Sequence, residues 1–419
     1  MFPNVPLYPG FVMPRGGNMQ LTCRKARLLC VVIMFNICIC VLMSVKWNRR
    51  RHDKDPRKVR IPSERFWRPQ IASESFWNKE QQRLDFLYNP IINSALSDDS
   101  LVVLPDWLND TGPLNPCDPD YRVFTQISDY NSLPQRFHDF LLHMRCRTYP
   151  MLINQPHVCD ESPFLLVVVK SLIPHFDRRQ AIRETWGRAG VFANRTVVTV
   201  FLLGNTSPLD NFPDLLGMLG HEAKLHNDLL QWDYRDSFFN LTLKEVLFLE
   251  WFSKHCPLAQ YVLKGDDDVF VNTLQVIDLL EGLSDNKAKD LFIGDVISNA
   301  GPHRNENLKY FIPESVFVGQ YPPYAGGGGY LLSGELAIRL YNASQQVVLF
   351  PIDDVYTGMC LRKLGLAPTK HSGFKTFDID IKYRSTPCIY RNLVLVHSRK
   401  PQEIIEIWPW IVNPELDCQ

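Results

Sequence analysis

The sequence predicts an α/β fold with an open, mainly parallel central sheet, and three observations carry that expectation. From about residue 163 onward, short apolar runs of strand length alternate with polar stretches that carry helical spacing. The runs are rich in β-branched residues and lack polar alternation, so they suit strands buried on both faces. Such alternation, sustained to the end of the chain, is the pattern of strands joined by crossover helices, with ligands at the strands' carboxyl ends.

In chain order, FLLVVVKSL (164–172), TVVTVFLLG (196–204), QYVLKGDDDVFV (260–271) and DLFIGDV (290–296) read as strands. DRRQAIRETWG (177–187) and SFFNLTLKEVLFLEWFSKHC (237–256) read as helices between them. These elements make residues 163–419 the expected main domain. Residues 65–162 read as a region packing onto it, through the spaced aromatic and aliphatic residues Trp67, Phe76, Trp77, Leu84 and Leu87, with a Ser-, Asp- and Pro-rich loop at about 93–120. No repeat of solenoid length is visible.

The first 64 residues are organised differently. Leu28–Val45 runs 18 residues without a charge, about 27 Å as a helix, which is enough to span a bilayer. The run exceeds the apolar region of a cleaved signal peptide, and Lys46, Trp47 and Arg49 stand where small residues would mark cleavage. Residues 28–45 are therefore expected to be a signal anchor, after a tail at 1–27 and before a basic, polar stem at 46–64. The larger basic cluster follows the span, and the positive-inside rule taken alone would keep that side in the cytosol. Five Asn-x-Ser/Thr sequons after the span, at Asn109, Asn194, Asn205, Asn240 and Asn342, favour a lumenal location instead.

Basic and acidic residues balance at 45 each, so the overall charge points away from nucleic acid as a partner. Seven of the 11 cysteines lie beyond the span without a CxxC pair, which argues against a zinc site. In an oxidising lumen they allow three disulfides with one thiol left over, in a pairing the sequence does not give.

The chemistry concentrates in a few stretches. KGDDDVFVN (264–272) sets Asp266, Asp267 and Asp268 side by side at the end of an apolar run, a repulsive arrangement that a hard divalent cation would relieve. In strand geometry Asp266 and Asp268 share a face and Asp267 turns away. Arg178, Arg179 and Arg183 lie where the first strand gives way to a helix, a position suited to phosphates. YPPYAGGGGYLLSG (321–334) reads as backbone lying close to a bound ring, with its tyrosines available to stack on sugars. Asp353 and Asp354 form an adjacent carboxylate pair suited either to general-base chemistry or to helix capping. His397 ends a β-branched run as a candidate metal ligand or a structural histidine.

Taken together and in order, RRQAIRETWG, KGDDDVFVN, YPPYAGGGGYLLSG, DDVYTGMCLRKLG and LVHSRKPQE resemble the secretory-pathway β-1,3-glycosyltransferases. The likeness covers nearly everything from about Ile61 and is strongest to enzymes that extend poly-N-acetyllactosamine. It implies a GT-A type, Rossmann-like nucleotide-sugar fold on a single-pass type II Golgi membrane protein with a lumenal catalytic domain. It implies Asp268 and His397 as ligands of Mn2+ or Mg2+, with Asp266 and Asp267 holding the UDP ribose and helping to position the metal, and Arg178 and Arg183 flanking UDP. Asp354 would be the general base, since it aligns with the second acid of the family's [ED]-D-V motif. The implied reaction is inverting transfer of GlcNAc from UDP-GlcNAc to the 3-hydroxyl of β-galactose-terminated glycans. A homodimer or a complex with other Golgi transferases is implied by the same analogy. Two alternatives stay open: a β-1,3-galactosyltransferase using UDP-galactose, and an inactive membrane glycan-binding protein.

Overall fold

The computed structural model describes residues 75–88, 112–113, 115–206, 213–413 and 418, together with Met34 and Ile37. The chain divides into two compact units, Met1–Lys58 and Val59–Gln419, and the fold below is that of the second. Apart from those two residues, the expected tail, anchor and stem lie outside the described residues, as does Trp67. Among the described residues no helix is long and apolar enough to cross a membrane.

The described elements are α1 (Phe76–Leu87), α2 (Gln135–His143), β1 (Met151–Ile153), β2 (Leu165–Lys170), α3 (Phe176–Glu184), β3 (Gly190–Phe192), β4 (Arg195–Asn205), α4 (Leu216–His226), β5 (Leu229–Arg235), α5 (Leu241–His255), β6 (Tyr261–Asp266), β7 (Val269–Val271), α6 (Thr273–Glu281), β8 (Phe292–Ile297), β9 (Tyr324–Ser333), α7 (Gly334–Ser344), α8 (Asp353–Lys363), β10 (Thr369–Lys370), β11 (Phe374–Lys375), β12 (Leu395–His397) and α9 (Pro401–Val412), with a few shorter turns of helix between them.

The large sheet runs in the order β1-β5-β4-β2-β6-β9-β8-β10, with β3 beside β4. Its centre, β5-β4-β2-β6, is parallel, and the register sets Lys170 at the end of β2 opposite Asp266 at the end of β6. Every residue of β2 is buried. Leu166 and Val168 enter one core cluster, while Leu165, Val167 and Val169 enter the other, so the sheet has a core on each face.

The glycine run corrects the sequence expectation, because it forms β9, antiparallel to both β6 and β8. Tyr321 and Tyr330 are buried and cannot stack on a ligand; Tyr330 stacks instead on Phe292, with centroids 4.6 Å apart. The acidic triplet spans the turn from β6 into β7, which belongs to a small second sheet, β11-β12-β7. There β12 pairs antiparallel with β7 and sets His397 opposite Val269, next to Asp268.

The N-terminal part of this unit is tied into the core. Phe76 and Trp77 of α1 are buried, and the Trp77 indole donates to the carbonyls of Val348 and Leu349. Three disulfides join Cys117 to Cys146, Cys159 to Cys256 and Cys388 to Cys418, and Cys360 remains a buried thiol. That is the count expected for an oxidising compartment.

Candidate active site

The site begins at Lys170, a buried lysine that ends an otherwise apolar strand. Its Nζ lies 2.8 Å from Asp266 Oδ1 and donates to Asp353 Oδ2 at 2.9 Å. Burial disfavours its charge, but Asp266 and Asp353 outweigh that and raise its pKa well above the usual lysine value. One cation thus joins the two acidic runs that the sequence singled out.

The triplet divides by face as strand geometry requires. Asp266, Asp268 and His397 each offer a ligand atom, all within 4.8 Å of one another. His397 Nδ1 faces the Thr376 carbonyl at 3.0 Å, which leaves Nε2 toward Asp268 Oδ1 at 3.2 Å. Two carboxylates and an oriented imidazole suit Mn2+ well and Mg2+ acceptably. This donor set fits the implied cation.

Asp267 turns to protein partners. It is 5% exposed, and its carboxylate accepts from Ser171 Oγ at 2.7 Å and Arg178 Nη1 at 2.8 Å, with His175 Nδ1 at 2.7 Å. Burial opposes its charge, yet the His175 contact leads a set of partners that hold its carboxyl below the ordinary range. With both oxygens engaged by protein, Asp267 anchors the turn to α3. Arg178 stays at the border, a third exposed and 3.7 Å from Asp268 Oδ2.

Arg183 is likewise not brought to the triplet. It pairs with Glu222 and Asp228, each at 2.7 Å, and lies over the Phe201 ring. Five residues separate it from Arg178, about 140° apart around a helix, and its guanidinium is engaged by Glu222 and Asp228. Arg183 instead shares Glu222 with the fully buried Arg179.

On the other side of Lys170, Asp353 and Asp354 open α8 after the N-cap Ile352, and neither caps the helix through its side chain. Asp353 is held below the usual carboxylate range because Lys170 outweighs the cost of burial. Asp354 is pushed well above that range by burial and then by Asp353 itself. The glycines of β9 make room for this arrangement. A Cβ at Gly327 would sit 2.9 Å from the Asp354 carboxylate, and one at Gly328 would sit 3.2 Å from His397. The run removes side chains where the base candidate and the metal-ligand candidate press against the strand.

Sequence reasoning missed Lys170, Ser171 and His175, and the buried pair of Lys264 with Glu245, to which the Tyr330 hydroxyl donates at 3.1 Å. A signal was present for the lysines, since LLVVVK and YVLK each place one inside an apolar strand. Buried lysines need partners, and here the partners are carboxylates.

Parallel strands that end at an Asp-Asp-His cluster, with a raised carboxyl nearby, define a sugar-transfer class of protein. The galactosyltransferase family model matches residues 177–372, which contain the triplet, the glycine run and the Asp353–Asp354 pair. The chain belongs to that family. It is 55% identical over 396 residues to the N-acetyllactosaminide β-1,3-N-acetylglucosaminyltransferase 2 of Mus musculus, covering 94% of this chain and 99% of that one. Against the Homo sapiens protein of the same name the identity is 53%, with the same coverage. Against the UDP-GlcNAc:betaGal β-1,3-N-acetylglucosaminyltransferase 7 of Rattus norvegicus it is 46%, covering 69% of this chain and 74% of the relative.

Proposed function

We propose that this protein is a metal-dependent, inverting β-1,3-N-acetylglucosaminyltransferase that moves GlcNAc from UDP-GlcNAc to the 3-hydroxyl of a terminal β-galactose, extending N-acetyllactosamine chains. The observation that carries this reading is the placement of Asp354, a carboxyl with a raised pKa, against the bare glycine strand and one residue from the Lys170 clamp. Relatives more than 50% identical over nearly their whole length carry that activity in their names.

In the proposed step Asp354 accepts the proton of the galactose 3-hydroxyl as its oxygen bonds to the anomeric carbon of GlcNAc. The bond from that carbon to the diphosphate oxygen breaks on the opposite face, and UDP leaves. Asp266, Asp268 and His397 would hold a divalent cation, which supplies charge stabilisation to the leaving diphosphate. Arg178 borders this position and would assist there, while Lys170 keeps Asp266 and Asp353 in fixed relation. Asp353, tied to that lysine, raises the basicity of its neighbour.

The same reading includes a GT-A type fold, a type II anchor at 28–45, a Golgi membrane location with the catalytic domain in the lumen, and homodimers or assemblies with other Golgi transferases. The apolar run, the sequons and the disulfides support the lumenal part.

The test is transfer by the full chain to N-acetyllactosamine with Mn2+ and either UDP-GlcNAc or UDP-galactose, followed by linkage analysis. New β-1,3-linked GlcNAc, lost with chelator, is expected. Transfer from UDP-galactose alone would move the protein to the galactosyltransferase alternative, and none from either donor would leave a glycan-binding protein.

A further inference from the structure

Asp354 stands in the first turn of α8 and presses against Gly327 of β9, and the chain leading into each of these elements is held by one short helix, α1. On the β9 side, the backbone N–H groups of Phe76 and Trp77 donate to the carbonyls of Ser315 and Val316, each at 2.9 Å. These are N–H groups that the start of a helix leaves open. Asn78 adds a pair of bonds to Val318, with Nδ2 donating to the carbonyl at 2.8 Å and Oδ1 accepting from the N–H at 3.2 Å.

On the α8 side the same helix turns its side chains to backbone. Trp77 Nε1 donates to the carbonyls of Val348 and Leu349 at 3.2 and 3.1 Å. Gln81 Nε2 donates to the Gln346 carbonyl at 3.0 Å, and Gln81 Oε1 accepts from the Val348 N–H at 2.8 Å. At the other end of α8, the buried Lys363 donates to Asp85 Oδ1 at 3.1 Å. The two sides are joined by rings, since Trp77 packs edge-on against Phe317 and Phe350, which pack edge-on against each other.

Buried backbone groups take the path that their hydrogen bonds allow, so side chains 265 and 271 positions away in sequence set the course of 346–349. That segment runs directly into Ile352 and the first turn of α8. Arg147 and Thr242 hold the carbonyls of Val347 and Phe350 between and beyond these bonds, so loss of one α1 contact loosens the segment without releasing it. We propose that Trp77 and Gln81 are positioning residues for Asp354, and that α1, the helix that follows the expected anchor and stem, is a splint that sets the base candidate against β9. The proposal rests on the transfer reading above and adds to it two residues remote from the reacting atoms.

The test uses the full chain with UDP-GlcNAc, Mn2+ and N-acetyllactosamine, at a temperature well below the Tm of every variant. Misplacing a reacting group by about 1 Å costs about 10²-fold, so partial loosening in Gln81→Ala should lower kcat about tenfold. KM for both substrates and Mn2+-dependent UDP binding should stay at wild-type values. Trp77→Phe keeps an aromatic ring and removes only the N–H, so its loss should have the same sign and be smaller; it decides alone if Gln81→Ala does not fold. Asn154→Ala takes the acceptor of the Trp251 indole, a bond of 2.9 Å made away from both segments, and should keep the wild-type kcat. Wild-type kcat in both α1 variants, or an equal loss in Asn154→Ala, would overturn the positioning role. Amide hydrogen exchange reads the same link without activity: residues 346–356 should exchange faster in the α1 variants and not in Asn154→Ala, and unchanged exchange there would also overturn it. If the wild type transfers from neither UDP-GlcNAc nor UDP-galactose, the transfer reading falls and the base with it. Exchange at 346–356 then decides by itself whether α1 sets the path of this segment.

Discussion

The two acidic runs of this molecule, 266–268 and 353–354, stand on different elements and divide their carboxylates in the same way. The triplet occupies a turn between two sheets and the pair opens a helix. In each run one carboxylate is given over to protein contacts: Asp267 to Ser171, His175 and Arg178, and Asp353 to Lys170. A neighbour then stands at the candidate site: Asp266 and Asp268 beside His397, and Asp354 beside Gly327. Adjacent carboxylates are tolerable when one has a fixed cationic partner, and that partner sets the charge its neighbour feels. Lys170 bonds to both runs, so the two halves of the site share one support.

The sharpest break between the two kinds of carboxylate should come from Asp354→Asn. Loss of a general base costs about 10²- to 10⁴-fold in kcat, while Mn2+-dependent UDP binding, read by calorimetry, should be unchanged. Since burial and Asp353 raise the Asp354 pKa in the folded state, its ionised form costs stability at neutral pH. The same variant should therefore raise Tm at pH 7 to 8, with the gain gone below about pH 4, where the unfolded carboxyl is also protonated. Wild-type transfer rates in this variant would end the base assignment.

Within the triplet the contrast is one of stability against binding. Asp268→Ala should abolish Mn2+-dependent UDP binding and transfer while leaving Tm nearly unchanged. Asp267→Ala should instead lower stability by about 3 kcal/mol, because it leaves Arg178, His175 and Ser171 without their common acceptor. Denaturant unfolding checks both, and a stable Asp267→Ala protein with weakened UDP binding would return that residue to the ribose.

Arg183 allows the same test on the neighbouring helix at smaller cost. Removing it leaves Asp228 without its bidentate partner but leaves Arg179 on Glu222. Arg183→Ala should lose about 2 kcal/mol of stability with KM for UDP-GlcNAc unchanged. A raised KM with unaltered Tm would instead place it beside UDP.

Much of this was legible in the sequence because it depends on local pattern. Apolar runs located β2, β4, β6 and β8, and period-2 geometry put Asp266 and Asp268 on one face. What escaped depends on register between distant strands. Nothing local in LLVVVKSL tells that Lys170 will lie opposite Asp266, or that Ser171 and His175 will meet Asp267 across some 90 residues of chain. The glycine run misled for a related reason. Its glycines answer to side chains at 354 and 397, so the sequence showed a need for close approach without showing what approaches.

The subtlest test concerns the coupling inside the 353–354 pair, where the effect is a displaced pH profile. Transfer requires Asp354 ionised, so the rate should fall as pH drops through its raised pKa. Burial is the first cause of that rise and the negative charge of Asp353 the second. Asp353→Asn removes the second cause and leaves Lys170 free to act more strongly on Asp354, so both changes favour the carboxylate. The acid limb of the kcat profile should move to lower pH, with a modest loss of plateau rate as the base weakens. The stability change runs the other way from that of Asp354→Asn. Asp353 has a depressed pKa, so it stabilises the fold above its unfolded value and this support is lost as pH falls through the folded one. Asp353→Asn should accordingly lower Tm at neutral pH and approach wild type in acid. An acid limb that stays in place would mean that burial alone sets the basicity of Asp354, and that the two adjacent acids are independent after all.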